Sequence, residues 1–266
     1  MGWVLYLAHQ PPSRLVVFVH GFSGGTVSSW QRFPSTDRAW WSESDMLFVG
    51  YDSRIDSITG TSARLRRNLP RFFPHLPSEL LESGNALVRA TDDEPYRELF
   101  LVGHSLGGVI LRRAVCDLAH DWLVQLELDE QTPRPPLLTG SLLLFSPASA
   151  GFRAAGILGI IRATPAWYGI NLYLRRSSAY SDLQPGSPIL TETRRRTEEL
   201  VSSHKADLSA LRARILWANP EDVVVPERYD SDLGDDAVDG TTHQSVCKPS
   251  STYVAPWLMV ESGRAL

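Results

Sequence analysis

At 266 residues the chain is long enough to bury one large core, or one domain carrying a sizeable insertion. Its residues are 43% hydrophobic and 21% charged, as in an ordinary globular protein, and a net charge of −4 offers no basic footprint for nucleic acid. Two cysteines, Cys116 and Cys247, are too few for a disulfide framework or a zinc site and read as plain buried thiols. No apolar run approaches a bilayer span.

The first apolar run, within Met1 to His9, has no basic region before it. It is too short for the core of a signal peptide and reads as a first strand, so the default location is a reducing cytoplasm. After the turn at Pro11-Pro12, Arg14-Leu15-Val16-Val17-Phe18-Val19-His20 is a buried strand running into Gly21-Phe22-Ser23-Gly24-Gly25-Thr26. That loop looks like a phosphate cradle but has no Lys where a P-loop needs one. The better reading is half of an oxyanion hole, with the Phe22 backbone N–H as donor. His20 reads as structural. Asp45 to Tyr51 is a third strand. Helical spacing predicts helices over Ser62 to Phe73 and Glu79 to Thr91. The first carries Arg64, Arg66, Arg67 and Arg71, read as a solvated face rather than an anion site.

Glu98-Leu99-Phe100-Leu101-Val102-Gly103-His104-Ser105-Leu106-Gly107-Gly108-Val109-Ile110 organises the chain. Leu99 to Val102 reads as a strand covered on both faces. Val109, Ile110, Ala114, Val115 and Leu118 recur at helical spacing. Between them, Gly103, Ser105 and Gly107 form G-x-S-x-G, a strained strand-to-helix turn that leaves no room for Cβ atoms two residues either side of the serine. The helix N-terminus offers free N–H groups, Leu106 first, where an oxyanion would develop.

Asp129 to Pro136 is a surface loop, and Ser141 to Phe145 the next strand. Strands alternating with helices imply an α/β protein with a mainly parallel sheet flanked by helices. Ser146 to Tyr180 breaks the pattern. It is either a helix pair closing the core or an apolar lid over the substrate, walled by residues such as Phe152, Ile157, Ile161 and Trp167. Ile189 to Lys205 reads as a polar helix, and Arg214 to Asn219 as the last clear strand. Asp230 to Asp236 lacks calcium-ligand spacing and reads as a solvated loop.

A carboxylate follows that strand in Asn219-Pro220-Glu221-Asp222-Val223. Asp222, directly before the apolar run, is favoured over Glu221 as a triad acid. His243 comes last, so nucleophile, acid and base fall in the chain order Ser, Asp, His.

Five stretches carry a resemblance: Val17 to Phe22, Gly50 to Ser53, Gly103 to Gly108, Ser181-Asp182-Leu183-Gln184-Pro185-Gly186-Ser187, and His243-Gln244-Ser245-Val246-Cys247-Lys248-Pro249. Through them the chain resembles serine α/β-hydrolases of the lipase-like group that includes SERAC-type and GPI-inositol-deacylase-type proteins. The resemblance implies one α/β-hydrolase domain over 1–266, and the break in pattern over residues 146–180 is expected to be a lid insertion within it. It implies Ser105 as nucleophile, Asp222 as acid, His243 as base, and Phe22 and Leu106 as oxyanion-hole donors. Asp182 falls outside the triad order and is expected to be structural. The expected activity is hydrolysis of carboxylic esters, lipid-like ones included, without metal or organic cofactor. The expected partner is a small-molecule or lipid ester, with transient membrane-surface contact at most and no nucleic acid. The competing activities are lipid acyl transfer, thioester hydrolysis, and a non-catalytic binding module built on the same fold.

Overall fold

Consecutive buried branched and aromatic residues make strands that need cover on both faces. Leu15, Val16, Val17, Phe18 and Val19 are all fully buried, in strand β2 (Arg14–Val19). The computed structural model describes residues 1–34, 40–83, 86–87, 95–153, 178–203 and 208–263. Around β2 lie β1 (Gly2–Tyr6), β3 (Ser44–Gly50), β4 (Glu98–His104), β5 (Ser141–Phe145), β6 (Ala213–Asn219) and β7 (Gly234–Asp239). They form a seven-stranded sheet in the order β1-β3-β2-β4-β5-β6-β7. Among the described residues of this sheet, only the β1–β3 pairing is antiparallel.

Side-chain alternation along the central strands sorts the core into two layers. Leu15, Val17, Val19, Leu99 and Leu101 pack with the apolar side of α2 (Leu106–Leu128) and with α1 (Ile58–Asn68). Val16, Phe18, Phe100 and Val102 face the other way, onto Trp30, Phe33, Trp257 and Val260. The last two belong to a C-terminal helix, Ala255–Ser262. Because β2, β4, β6 and β7 run parallel, the loops that leave them emerge along one edge of the sheet. That edge is where open α/β sheets bind ligands.

The helix expected over Ser62 to Phe73 begins earlier, at Ile58. Ser57 caps it by accepting the Gly60 N–H at 3.1 Å, and the Asp182 carboxylate accepts the Ile58 N–H at 3.2 Å. Asp182 is thus a structural cap from a distant segment, worth roughly 1 kcal/mol for such contacts. Arg64 pairs with Asp56 at 2.8 Å and Arg66 pairs with Asp121, so this face spends charge on its neighbours. The polar helix over Ile189 to Lys205 is present as Pro188–Ser203.

Two expectations are corrected. The region of Glu79 to Thr91 opens with a short 3-10 turn, Ser78–Leu81, followed by a two-stranded pairing of Glu82–Ser83 with Ala86–Leu87. The sequence Ser83-Gly84-Asn85 carries turn-forming residues that helical spacing alone overlooks. The acidic stretch Asp230 to Asp236 is not simply solvated. Asp232 is buried and forms a bidentate pair with the buried Arg112 of α2 at 3.0 and 2.6 Å. It also accepts the N–H groups of Ala213 and Tyr229. The residues after it enter β7, an edge strand whose half-buried and exposed positions alternate.

Candidate active site

The site begins at the end of β4. Ser105 is the N-cap of α2 and holds φ 54° and ψ −120°, in the region that L-residues rarely occupy. Its N–H extends the sheet by bonding Phe145 O at 3.0 Å, and its carbonyl accepts the Ala148 and Gly108 N–H groups at 3.2 and 3.1 Å. These bonds hold the strained residue on both sides. The flanking glycines are a steric necessity. A Cβ on Gly107 would lie 2.1 Å from Val19 O, and one on Gly103 would lie 2.8 Å from the Gly108 backbone.

His243 reaches the same place from the loop after β7. Ser105, His243, His104, Phe22 and Phe152 all line one pocket of about 270 Å³. His104 is the residue just before the serine in this strand-to-helix turn, the elbow. Its Nε2–H donates to the His243 carbonyl at 2.7 Å, which ties the His243 loop to the elbow. Burial, and then the nearby His243, hold the His104 pKa down to about 3, so this ring is a neutral donor.

The carboxylate against His243 is that of Glu221. His243 Nδ1–H faces its two oxygens at 3.0 and 3.1 Å, both side chains being nearly sealed from solvent. Glu221 Oε1 also accepts the Val223 and Val224 N–H groups at 3.0 and 3.2 Å, and the Ser146 hydroxyl adds a bond. Burial pushes the carboxyl pKa up, but the bonds from His243, Ser146 and Val223 outweigh it, and the net shift is downward. Asp222, the expected acid, is exposed to solvent. The structure thus brings Glu221, and not the expected Asp222, to His243. Side chains alternate here: Glu221 points inward with the buried Val223, and Asp222 between them points out.

The loop after β2 closes the other side. Its N–H groups are mostly committed internally: Ser23 to Ser53 Oγ at 2.9 Å, Gly24 to Gly21 O at 3.0 Å and Gly25 to Ser29 Oγ at 3.1 Å. In the run Phe22 to Gly25, only Phe22 has an N–H without an acceptor among the described residues. Leu106 opens α2, so its N–H has no intrahelical acceptor either. A Cβ on Gly21 would meet Ser105 Cβ and His104 Nδ1 at 2.9 Å, so the glycine lets this loop lie against the elbow. His20 is buried behind it. Its Nδ1–H donates to Gly21 O at 2.8 Å and its ring stacks on Tyr51, 4.4 Å away. It serves the loop's conformation.

Of the four expected substrate contacts, Phe152 lines the pocket and meets Phe22 edge-on at 6.5 Å. Ile157, Ile161 and Trp167, and with them most of the 146–180 insertion, lie outside the described residues. Among the described residues no group of three or more His, Cys, Asp or Glu is arranged to hold a metal ion, and no helix is long and apolar enough to cross a membrane.

No protein-family model matches the sequence, and no curated protein matches it either. Solved structures do match. A carboxylesterase structure from the thaumarchaeon Nitrososphaera gargenis is similar at a TM-score of 0.53 and 11% identity, over 98% of this chain and 95% of that one. An α/β-hydrolase enzyme from the sediment metagenome of the Mar Chica lagoon gives a TM-score of 0.48 at 13% identity, covering 98% and 95%. Est1E from Butyrivibrio proteoclasticus gives 0.48 at 13%, covering 98% and 90%. At such identities likeness speaks for architecture alone. The seven-stranded, mostly parallel sheet and its flanking helices form the α/β-hydrolase fold.

Proposed function

We propose that the chain is a serine hydrolase of carboxylic esters, with Ser105 as nucleophile, His243 as base and Glu221 as the acid. The observation that carries this reading is the pocket in which a strained Ser105 and a Glu221-bound His243 converge. Glu221 accepts a hydrogen bond from His243 Nδ1–H, which fixes the tautomer and leaves Nε2 as the basic nitrogen. Ser105 Oγ gives its proton to Nε2 and bonds to the ester carbonyl carbon. The carbonyl oxygen takes up the electron pair and is met by the Phe22 and Leu106 N–H groups. The C–O bond to the alcohol then breaks, and the alcohol leaves with the proton from His243. Water repeats the sequence on the acyl-enzyme and releases the acid. The sum is ester plus water to acid plus alcohol.

The neighbour from Nitrososphaera gargenis is described as a carboxylesterase, which is consistent with this chemistry. A fluorophosphonate probe tests the reading. It should label the wild-type protein at Ser105, and Ser105→Ala should lose both labelling and esterase activity while keeping its far-UV circular dichroism. Labelling that persists on another serine would overturn the assignment.

A further inference from the structure

The pocket beside Ser105 holds one charged side chain among its described lining residues, and it is a cation. Lys248, five residues after His243, lines it together with Ser28, Ser29 and Gln244. It stands close enough to the elbow for its charge to act on His104. No carboxylate among the described residues pairs with it. Glu221, the carboxylate behind His243, is committed to that ring and to backbone N–H groups. Ser29 adds a donor. Its oxygen accepts the Gly25 N–H, which leaves the hydroxyl hydrogen free to point elsewhere. The formal charge on the pocket's described lining is therefore positive, in a chain whose net charge is −4.

We infer that the substrate is an anionic ester, with a carboxylate or phosphate group near the scissile bond that Lys248 and the Ser29 hydroxyl receive. This rests on the proposed ester hydrolysis and names its substrate class. The glycine-rich loop has no lysine of its own in sequence, and its N–H groups are largely committed. The charge comes instead from a segment more than two hundred residues further on, brought to the loop by the fold.

The test separates binding from turnover. Isothermal titration on Ser105→Ala protein compares two matched pairs of esters. One pair is nitrophenyl hemisuccinate against its neutral methyl ester, which places the anion on the acyl side. The other is monobutyrylglycerol phosphate against monobutyrylglycerol, which places it on the alcohol side. At least one anionic member should bind about tenfold or more tightly than its neutral twin, the scale of one charge-assisted hydrogen bond. Adding Lys248→Met should erase that ratio, and Lys248→Arg should keep part of it. Equal binding of both twins in both pairs overturns the inference, as does a preference that survives Lys248→Met. Fluorophosphonate labelling of the wild-type protein, run alongside, reports on Ser105 activation by itself, so failure of the hydrolase reading is distinguishable from failure of the substrate class.

Discussion

A buried carboxylate persists only where donors surround it, and at residue scale this separates two neighbouring acids. Glu221 meets His243, Ser146 and two backbone N–H groups, whereas Asp222 faces water. Glu221→Gln should keep the carbonyl that receives Val223 and Val224, but it can present an N–H to His243 Nδ1. The imidazole would then favour the wrong tautomer, and turnover should drop by about 10⁴, the scale seen when a triad acid is neutralised. Asp222→Asn should change kcat by less than about twofold, as an exposed side chain with no contact to the base. Steady-state kinetics on one nitrophenyl ester checks both. Equal losses in the two variants would remove Glu221 from the role. The sequence offered both candidates side by side. Only the inward alternation of Glu221 with Val223 separates them, and the apolar run Val223-Val224-Val225 hides that alternation.

At the scale of elements, the elbow was legible because its constraints are local. Gly103 and Gly107 are needed by the turn itself, and β4 and α2 announce themselves by an apolar run and by helical spacing. Gly107→Ala would press a methyl against the carbonyls of Val19 and His20, at 2.1 and 2.6 Å. Backbone cannot swing away as a side chain can, so the cost should reach about 3 kcal/mol or more. At about 2–4 °C per kcal/mol for a chain of this class, Tm should fall by roughly 6–12 °C. Gly234→Ala, at the start of β7, has no neighbour within 4 Å of the added carbon and should stay within about 0.5 kcal/mol. Differential scanning calorimetry of the pair measures the contrast, and equal stability would show that the elbow relaxes around the methyl. Elements set by distant partners were the ones that sequence concealed. β7 is an edge strand with aspartates at Asp235, Asp236 and Asp239, so it has no apolar run to read. The burial of Asp232 depends on Arg112, which lies 120 residues away.

Over the whole molecule, the site leaves its mark on acid stability. In the unfolded chain His104 titrates at its ordinary value, 6.5, and in the fold burial and the neighbouring His243 hold it down to about 3. Between those values the unfolded state carries a proton that the native state refuses. Stability therefore rises with pH across that window and is lost on acidification, at up to about 1.4 kcal/mol per pH unit for one group. His20 is also lowered, mainly by burial, and adds in the same direction below 6.5. Glu221 has its folded pKa below the ordinary 4.5, so its contribution is present above that value and disappears only as pH falls through the folded one. Acid unfolding should thus begin in the range of histidine titration and steepen where the carboxylate joins. Urea unfolding at a series of pH values gives the slope directly. His104→Gln can retain a donor to the His243 carbonyl but has no titrating ring. Whatever it costs in absolute stability, its slope between about pH 4.5 and 6 should be shallower than wild type by up to about 1.4 kcal/mol per pH unit. A variant with the wild-type slope would mean that His104 is charged in the native state and that burial beside His243 does not hold its pKa down.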